Sequence, residues 1–216
     1  MARFLAIPFV LVVSLSISLI PISGTAVPEG LGFYALILLY AIPLTIFCAV
    51  VSMTSLGQEG YAVWNIYVAP ITARQLLKAK TLTAVLLGLA FAVSMAIFLG
   101  VLLKIATVDL VLLISLGAAI VLGQSAVGMY FAATFPDFRE TIRSRFVGVW
   151  GSLVGTFLSL ILAIITALPM LLSIYVRARI TYDYAVATFA IGLIIFVAGW
   201  KLAERQIQGL IQEIRV

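Results

Sequence analysis

The sequence predicts an all-α integral membrane protein built as a six-transmembrane-helix bundle. Hydrophobic residues make up 64% of the 216 residues and charged residues only 10%, whereas soluble domains are about half apolar and about a quarter charged. The apolar residues also form six long stretches whose central parts carry no charged side chain. This arrangement suits helices that must satisfy all backbone polar groups within a hydrocarbon layer.

Each predicted span has about 20 residues or more, the length that a helix needs to cross the hydrocarbon layer. The spans run over residues 4–22, 32–53, 82–103, 110–135, 147–176 and 184–203. The first stretch has two interpretations, because a basic start, an apolar run and the small residues at 23–26 also fit a signal peptide. Its apolar run exceeds the roughly 7–15 residues of a typical signal core, which favours a permanent helix.

The distribution of positive charge predicts the orientation of the bundle. Lysine and arginine are enriched in the cytoplasmic loops of membrane proteins. One side would carry ten of the thirteen, namely Arg3, Arg74, Lys78, Lys80, Arg139, Arg143, Arg145, Lys201, Arg205 and Arg215. The other side would carry Lys104, Arg177 and Arg179. We therefore expect a multi-pass protein of the cell membrane with both termini in the cytoplasm and short external loops.

The sequence lacks residues that several classes of protein function require. The sequence has no histidine and a single cysteine, Cys48, so the commonest general base and any cysteine metal cluster are missing. It contains neither a GxxxxGK[ST] phosphate loop nor an HExxH zinc motif. The net charge of +5 is scattered through short gaps rather than gathered in a patch for nucleic acid. We expect no catalytic residue, metal site or bound cofactor on this chain, and membrane lipid rather than nucleic acid around it.

Residues 54–80 form the longest polar interval and a predicted cytoplasmic loop. Within it Tyr61, Trp64 and Val68 share one face of a short helix that Pro70 would end. This amphipathic helix would lie along the membrane surface, either as an aromatic anchor at headgroup level or as a handle for a partner protein. Thr72 is a predicted N-cap, after which the next helix runs directly into the third span.

Two further polar segments are predicted on the same side. Pro136 follows the fourth span and begins a compact charged turn that continues to Arg145. The tail, residues 204–216, repeats apolar residues at helical spacing, so an amphipathic helix should continue from the last span. It would pack beside the first cytoplasmic loop or lie on the lipid surface.

Inside the bundle, small residues repeat at the four-residue spacing that lets helices approach closely. Gly151 with Gly155 is the clearest pair. Such pairs favour a packed bundle and, weakly, dimerisation. Pro169 is predicted to separate the fifth span from a short element that follows it. Four polar residues are candidates to line an internal path or to hydrogen-bond neighbouring helices: Tyr40, Thr45, Gln124 and Ser125.

The two cytoplasmic segments also carry a family resemblance. The first resembles the loop of ABC-2 type transporter permeases, in which a Glu-Gly pair, an aromatic residue and a Pro-Ile dipeptide lead into a basic helix start. The matching positions are Glu59, Gly60, Trp64, Pro70, Ile71, Leu76, Leu77 and Lys80. The second segment is similar to a glycine, aromatic and F-P-x-F signature of such exporters. Its matching positions are Gly128, Phe135, Pro136 and Phe138.

The resemblance implies a permease subunit that forms the translocation pathway of an ATP-driven exporter. ATP would be bound by a separate ATPase subunit, and a second permease copy or a related half-permease would complete the pathway. The implied ATPase-coupling site comprises Glu59, Gly60, Trp64, Pro70, Ile71, Lys78 and Lys80. The implied second loop site comprises Pro136, Asp137, Phe138 and Arg139. In permeases of this plan a re-entrant element often precedes the last span, and residues 169–175 would supply it.

Two other functions remain open at this point. One is a membrane scaffold or assembly factor without transport. The other is a permease of the haem-export or cytochrome-maturation type, which has a similar length and layout. The sequence gives no chemical preference for any cargo.

Overall fold

The computed structural model describes residues 29–57, 72–136, 147–175 and 182–214. Five α-helices lie within these ranges: α1 (Glu29–Thr54), α2 (Ala73–Leu103), α3 (Thr107–Thr134), α4 (Val149–Tyr175) and α5 (Tyr182–Ile214). The described ranges contain no strand, only an isolated bridge between Pro136 and Val147. The predicted all-helical class is confirmed for this part of the chain.

All five helices are long and apolar enough to cross a membrane. The predicted span at 4–22, the helix expected between α1 and α2, and both chain ends lie outside the described residues. The structure thus accounts for five of the six predicted spans.

Successive helices alternate in direction. Gly88 of α2 lies against Val121 of α3, and Gly100 lies against Leu110 near the start of α3, so α2 and α3 are antiparallel. Gly192 and Gly199 of α5 lie against Ala119 and Ala126 of α3 respectively, so these two helices are parallel. This alternation is what a chain that crosses a layer repeatedly must show.

Helices α1 and α3 form the interior of the bundle. Their apolar windows are 72% and 67% buried, compared with 28%, 33% and 17% for α2, α4 and α5. Helix α3 packs against each of the other four. The outer three helices therefore surround a central pair and expose most of their own surface.

The buried and exposed faces of α4 indicate whether the surface of the bundle suits water or lipid. Its buried residues are mostly small, namely Gly151, Gly155, Ser159, Ala163, Thr166 and Ala167, with Met170 as the one large exception among those described. Its exposed face carries large apolar side chains such as Trp150, Phe157 and Ile164. A soluble helix has the reverse pattern, whereas small residues inside and large apolar residues outside are typical of helices packed in lipid.

The ends of α2 have well-defined caps. Thr72 and Gln75 form a capping box, in which the hydroxyl of Thr72 accepts from the backbone N–H of Gln75 and the side chain of Gln75 accepts from that of Thr72. The predicted N-cap at Thr72 is therefore confirmed. The other end closes at Lys104, which adopts a left-handed conformation with φ of 51° and donates its N–H to Gly100.

The prediction that Pro169 separates two elements is wrong, and no re-entrant turn occurs at this position. Helix α4 continues through Pro169 to Tyr175, and Met170 is fully buried in the main apolar cluster. Membrane helices tolerate proline because neighbouring groups compensate for the lost backbone bond. The packing around Met170 outweighs the cost of the backbone hydrogen bond that Pro169 cannot make.

The helix predicted for the tail is confirmed as far as Ile214, because α5 extends without a break from Tyr182. Ile207 is buried in one apolar cluster together with Leu56, Ala73 and Leu77. Of the two placements that the sequence allowed, this part of α5 packs against the end of α1 and the start of α2. This cluster, completed by Met129, Ala132, Ala133 and Ala203, is called the end cluster below.

Candidate functional site

The helix ends that flank the predicted loops lie at one end of the bundle, where α1 and α3 end and α2 and α4 begin. Leu56 and Ala73, which flank residues 58–71, belong to the end cluster. Pro136 and Val147, which flank residues 137–146, form the isolated bridge. The N–H of Gly148 also donates to the carbonyl of Phe135 over 3.1 Å. We call this region the loop end, since the residues on both sides of each connection lie there.

Most of the predicted coupling residues lie outside the described part of the chain. These are Glu59, Gly60, Trp64, Pro70 and Ile71 in the first segment, and Asp137, Phe138 and Arg139 in the second. Lys78 is exposed and Lys80 is half-buried on the first turns of α2. Pro136 is placed by its bridge to Val147. The roles assigned to these residues remain predictions.

The loop end is strongly basic. Arg74 and Lys78 are exposed one turn apart on α2, and Lys201 and Arg205 are exposed one turn apart on α5. Among the side chains described at this end, Glu204 is the one carboxylate. The end cluster brings the two helices together and so concentrates positive charge around one end of the bundle.

The four polar residues predicted inside the bundle are all buried. Tyr40 donates to the carbonyl of Ala92 on α2 over 3.1 Å, and Gln124 donates to that of Ser159 on α4 over 2.8 Å. Thr45 and Ser125 donate to carbonyls within their own helices. In the described structure none of the four hydrogen-bonds to another of the four, and two of them join neighbouring helices.

The sequence analysis missed five buried polar residues among those described, namely Ser52, Thr81, Ser159, Thr166 and Thr188. The hydroxyls of Thr81, Ser159 and Thr188 have no hydrogen-bond partner among the described residues, and neither does Oε1 of Gln124. Several other hydroxyls, such as those of Ser52 and Thr166, donate to the carbonyl four residues earlier. Ser159 extends the four-residue spacing of Gly151 and Gly155, which indicated its burial but not its contact with Gln124.

The small-residue pairs are used within the chain. Gly151 lies against the ring of Phe135, and Gly155 lies against Met53 and Phe131. A Cβ at Gly151 would come within 3 Å of Phe135, and a Cβ at Gly155 would come within 3 Å of Met53. The predicted close helix packing is confirmed, and this pair leaves no free groove for a second copy.

The described residues provide little chemistry of their own. They contain no group of three or more acidic, cysteine or histidine side chains that could hold a metal ion. The Cys48 thiol is buried. What this part of the chain presents is an apolar exterior, a few interhelical hydrogen bonds and a basic end.

The comparison with protein families gives one match. A family model described as "Putative ATP-binding cassette" matches residues 31–200, which is well over half of the chain. No curated protein matches the chain. No solved structure matches it either.

This match corrects the interpretation of the loop motifs. The resemblance to ABC-2 type permeases is wrong, and so is the function drawn from it, because the matching family is an ATP-binding cassette family and not that permease family. The scaffold and haem-export alternatives do not fit the match either. The motifs misled because a short surface helix, a proline and a basic helix start suit many membrane loops. The chain belongs to the ATP-binding cassette family matched over residues 31–200 and is thereby associated with ABC transporter systems.

Proposed function

We propose that the chain is the membrane-embedded helical component of an ATP-binding cassette system and that a separate ATPase chain binds the nucleotide. The main observation behind this proposal is which helices the family match covers. Residues 31–200 include α2, α3 and α4 entirely and most of α1 and α5. The family assignment therefore rests on helices whose large apolar side chains face outward.

The absence of a phosphate loop from the sequence supports the second half of the proposal. ATP-binding cassettes cradle phosphates with a glycine-rich loop and a lysine, in the pattern GxxxxGK[ST]. None of the four lysines in this sequence follows a glycine. We therefore assign no ATPase activity and no bound ATP to this chain.

The loop end is the proposed contact with the ATPase. The described residues that border segments 58–71 and 137–146 lie there, and Ile207 of the extended α5 belongs to the end cluster at the same end. The excess of lysine and arginine on this side supports a cytoplasmic orientation of the loop end, where ATP is available. Glu59 and Trp64 are the proposed contact residues, since one is charged and the other is a large aromatic side chain.

Photoaffinity labelling with an ATP analogue tests whether ATP binds to a separate chain and not to this one. The tagged chain is purified from its native membranes, with and without a wash that strips associated proteins. We expect label only on a co-purifying chain that contains a phosphate loop, and none on the stripped protein. Saturable labelling of the stripped protein that excess ATP suppresses would overturn the proposal.

The contact residues need a separate test. Glu59→Ala and Trp64→Ala should each reduce the amount of co-purifying ATPase, whereas Lys104→Gln at the opposite end of the bundle should not. If both loop variants retain the ATPase, the assignment of Glu59 and Trp64 is wrong. The proposal that a separate chain binds ATP would not be affected.

A further inference from the structure

We propose that Arg74, Lys78, Lys201 and Arg205 bind the phosphate groups of anionic phospholipids in the membrane leaflet at the loop end. All four side chains are exposed. They lie on α2 and α5, two of the three helices that surround the central pair. Their position beside exposed apolar residues of the same helices favours lipid over a protein partner.

On α5 the cations continue a stripe that faces lipid. Leu193 and Val197 are exposed apolar residues, and the exposed Lys201 and Arg205 follow at the same four-residue spacing on the next two turns. Each four-residue step advances about 6 Å along the helix axis. A phospholipid lying along this stripe would place its acyl chain against the apolar residues and its headgroup beside the basic ones.

Helix α2 repeats this arrangement. Leu86 and Leu82 are both 59% exposed, and Lys78 and Arg74 follow on the next two turns toward the loop end. Leu77 and Ala203 share the end cluster, so Lys78 and Lys201 lie near the same height on the bundle. Arg74 and Arg205 lie one turn further out. Two lipid-facing stripes thus become basic at the same height.

Aromatic residues mark that height as the headgroup region. Trp200 immediately precedes Lys201, and Trp150, at the start of α4, is 77% exposed. Tryptophan and tyrosine concentrate at the two interfaces of a membrane. Tyr182 is exposed at the other end of α5, and 18 residues from there to Trp200 span about 27 Å, close to the hydrocarbon thickness.

The excess of exposed cations over carboxylates at the loop end favours anionic headgroups. Glu204 is the one described carboxylate among the cations at this end, and its half-buried position leaves the exposed faces basic. Lysine and arginine near a membrane surface attract anionic lipid, and the attraction falls with ionic strength. Zwitterionic headgroups carry no net charge, so their electrostatic attraction to these cations would be much weaker.

Lipid selectivity can be measured on the isolated chain, without any ATPase. The protein is reconstituted in phosphatidylcholine bilayers that contain trace spin-labelled phosphatidylglycerol or phosphatidylcholine, and the motionally restricted fraction of each label is compared by electron spin resonance. We expect a several-fold preference for phosphatidylglycerol that declines with added salt. Equal association of both labels would overturn the proposal.

Variants assign the preference to the four cations. Arg74→Gln with Lys78→Gln, and Lys201→Gln with Arg205→Gln, should each remove part of the preference, and the combined variant should abolish it. The two pairs are tested separately so that a folding defect in the fourfold variant leaves the proposal testable. Lys104→Gln is the matched control at the other end and should retain the preference.

An unchanged lipid preference in both double variants would contradict the assignment. If the same variants also lose the co-purifying ATPase, the cations belong to a protein interface instead. Because the lipid measurement contains no ATPase, its outcome is independent of whether the proposed ATPase partner exists.

Discussion

The side-chain amide of Gln124 donates a hydrogen bond to the main-chain carbonyl of Ser159 and joins α3 to α4 within the apolar bundle. The amide oxygen of the same residue has no partner among the described groups. Gln124 therefore contributes one interhelical bond while burying one unsatisfied acceptor. Its net contribution to stability depends on both.

Replacing Gln124 by methionine separates polarity from volume. The interhelical bond is lost, but the unsatisfied oxygen is removed as well, so we expect the free energy of unfolding to change by less than about 1 kcal/mol. Gln124→Ala also leaves a cavity and should cost about 2 kcal/mol or more. Reversible unfolding in mixed micelles measures both. Equal losses in the two variants would show that the hydrogen bond dominates.

Gly192 permits a close backbone approach between α3 and α5. A Cβ at this position would lie 2.6 Å from the carbonyl oxygen and 2.9 Å from the Cα of Ala119, which are backbone atoms that cannot move aside. We expect Gly192→Ala to lower the free energy of unfolding by about 1–3 kcal/mol through overpacking.

Gly209 provides the control on the same helix, since a Cβ there meets nothing within 4 Å. Gly209→Ala should raise the unfolding free energy by up to about 1 kcal/mol, because alanine restricts the unfolded chain and favours helix. If both glycine variants shift stability in the same direction, the close approach of α3 and α5 is not the controlling feature.

Tyr40 occupies the space that Gly117 leaves open. Its hydroxyl donates to the carbonyl of Ala92, and a Cβ on Gly117 would overlap that hydroxyl. Tyr40→Phe alone should cost about 0.5–1.5 kcal/mol for the lost bond. Gly117→Ala should cost more, but less in the Tyr40→Phe background, where the overlapping oxygen is gone. A double-mutant cycle from thermal unfolding in detergent measures this coupling, and additive losses would contradict it.

Lys104 ends α2 in a left-handed conformation that is unfavourable for residues with a Cβ. Lys104→Gly should raise the unfolding free energy by about 1 kcal/mol, since glycine adopts this conformation without steric cost. Lys104→Ala keeps the Cβ and should give no such gain. Comparing the two midpoints of thermal unfolding checks the explanation, which fails if alanine stabilises as much as glycine.

The helices were predictable because the requirement for an apolar span acts on each segment separately. The capping box at Thr72 was equally local, since Thr72 and Gln75 are three residues apart. The functional interpretation was less secure, because the loop motifs depended on a few residues such as Glu59 and Pro136 that many membrane loops share. The family match extends over residues 31–200 and overturned it.

By itself the sequence determined that this chain is helical and suited to lipid, because composition and segment length decide that without reference to neighbours. Only the tertiary structure decided which face of each helix turns inward. It placed Ile207 in one apolar cluster with Leu77, set Met53 against Gly155, and continued α4 through Pro169. These outcomes depend on contacts between residues far apart in the chain, where packing outweighs local preference.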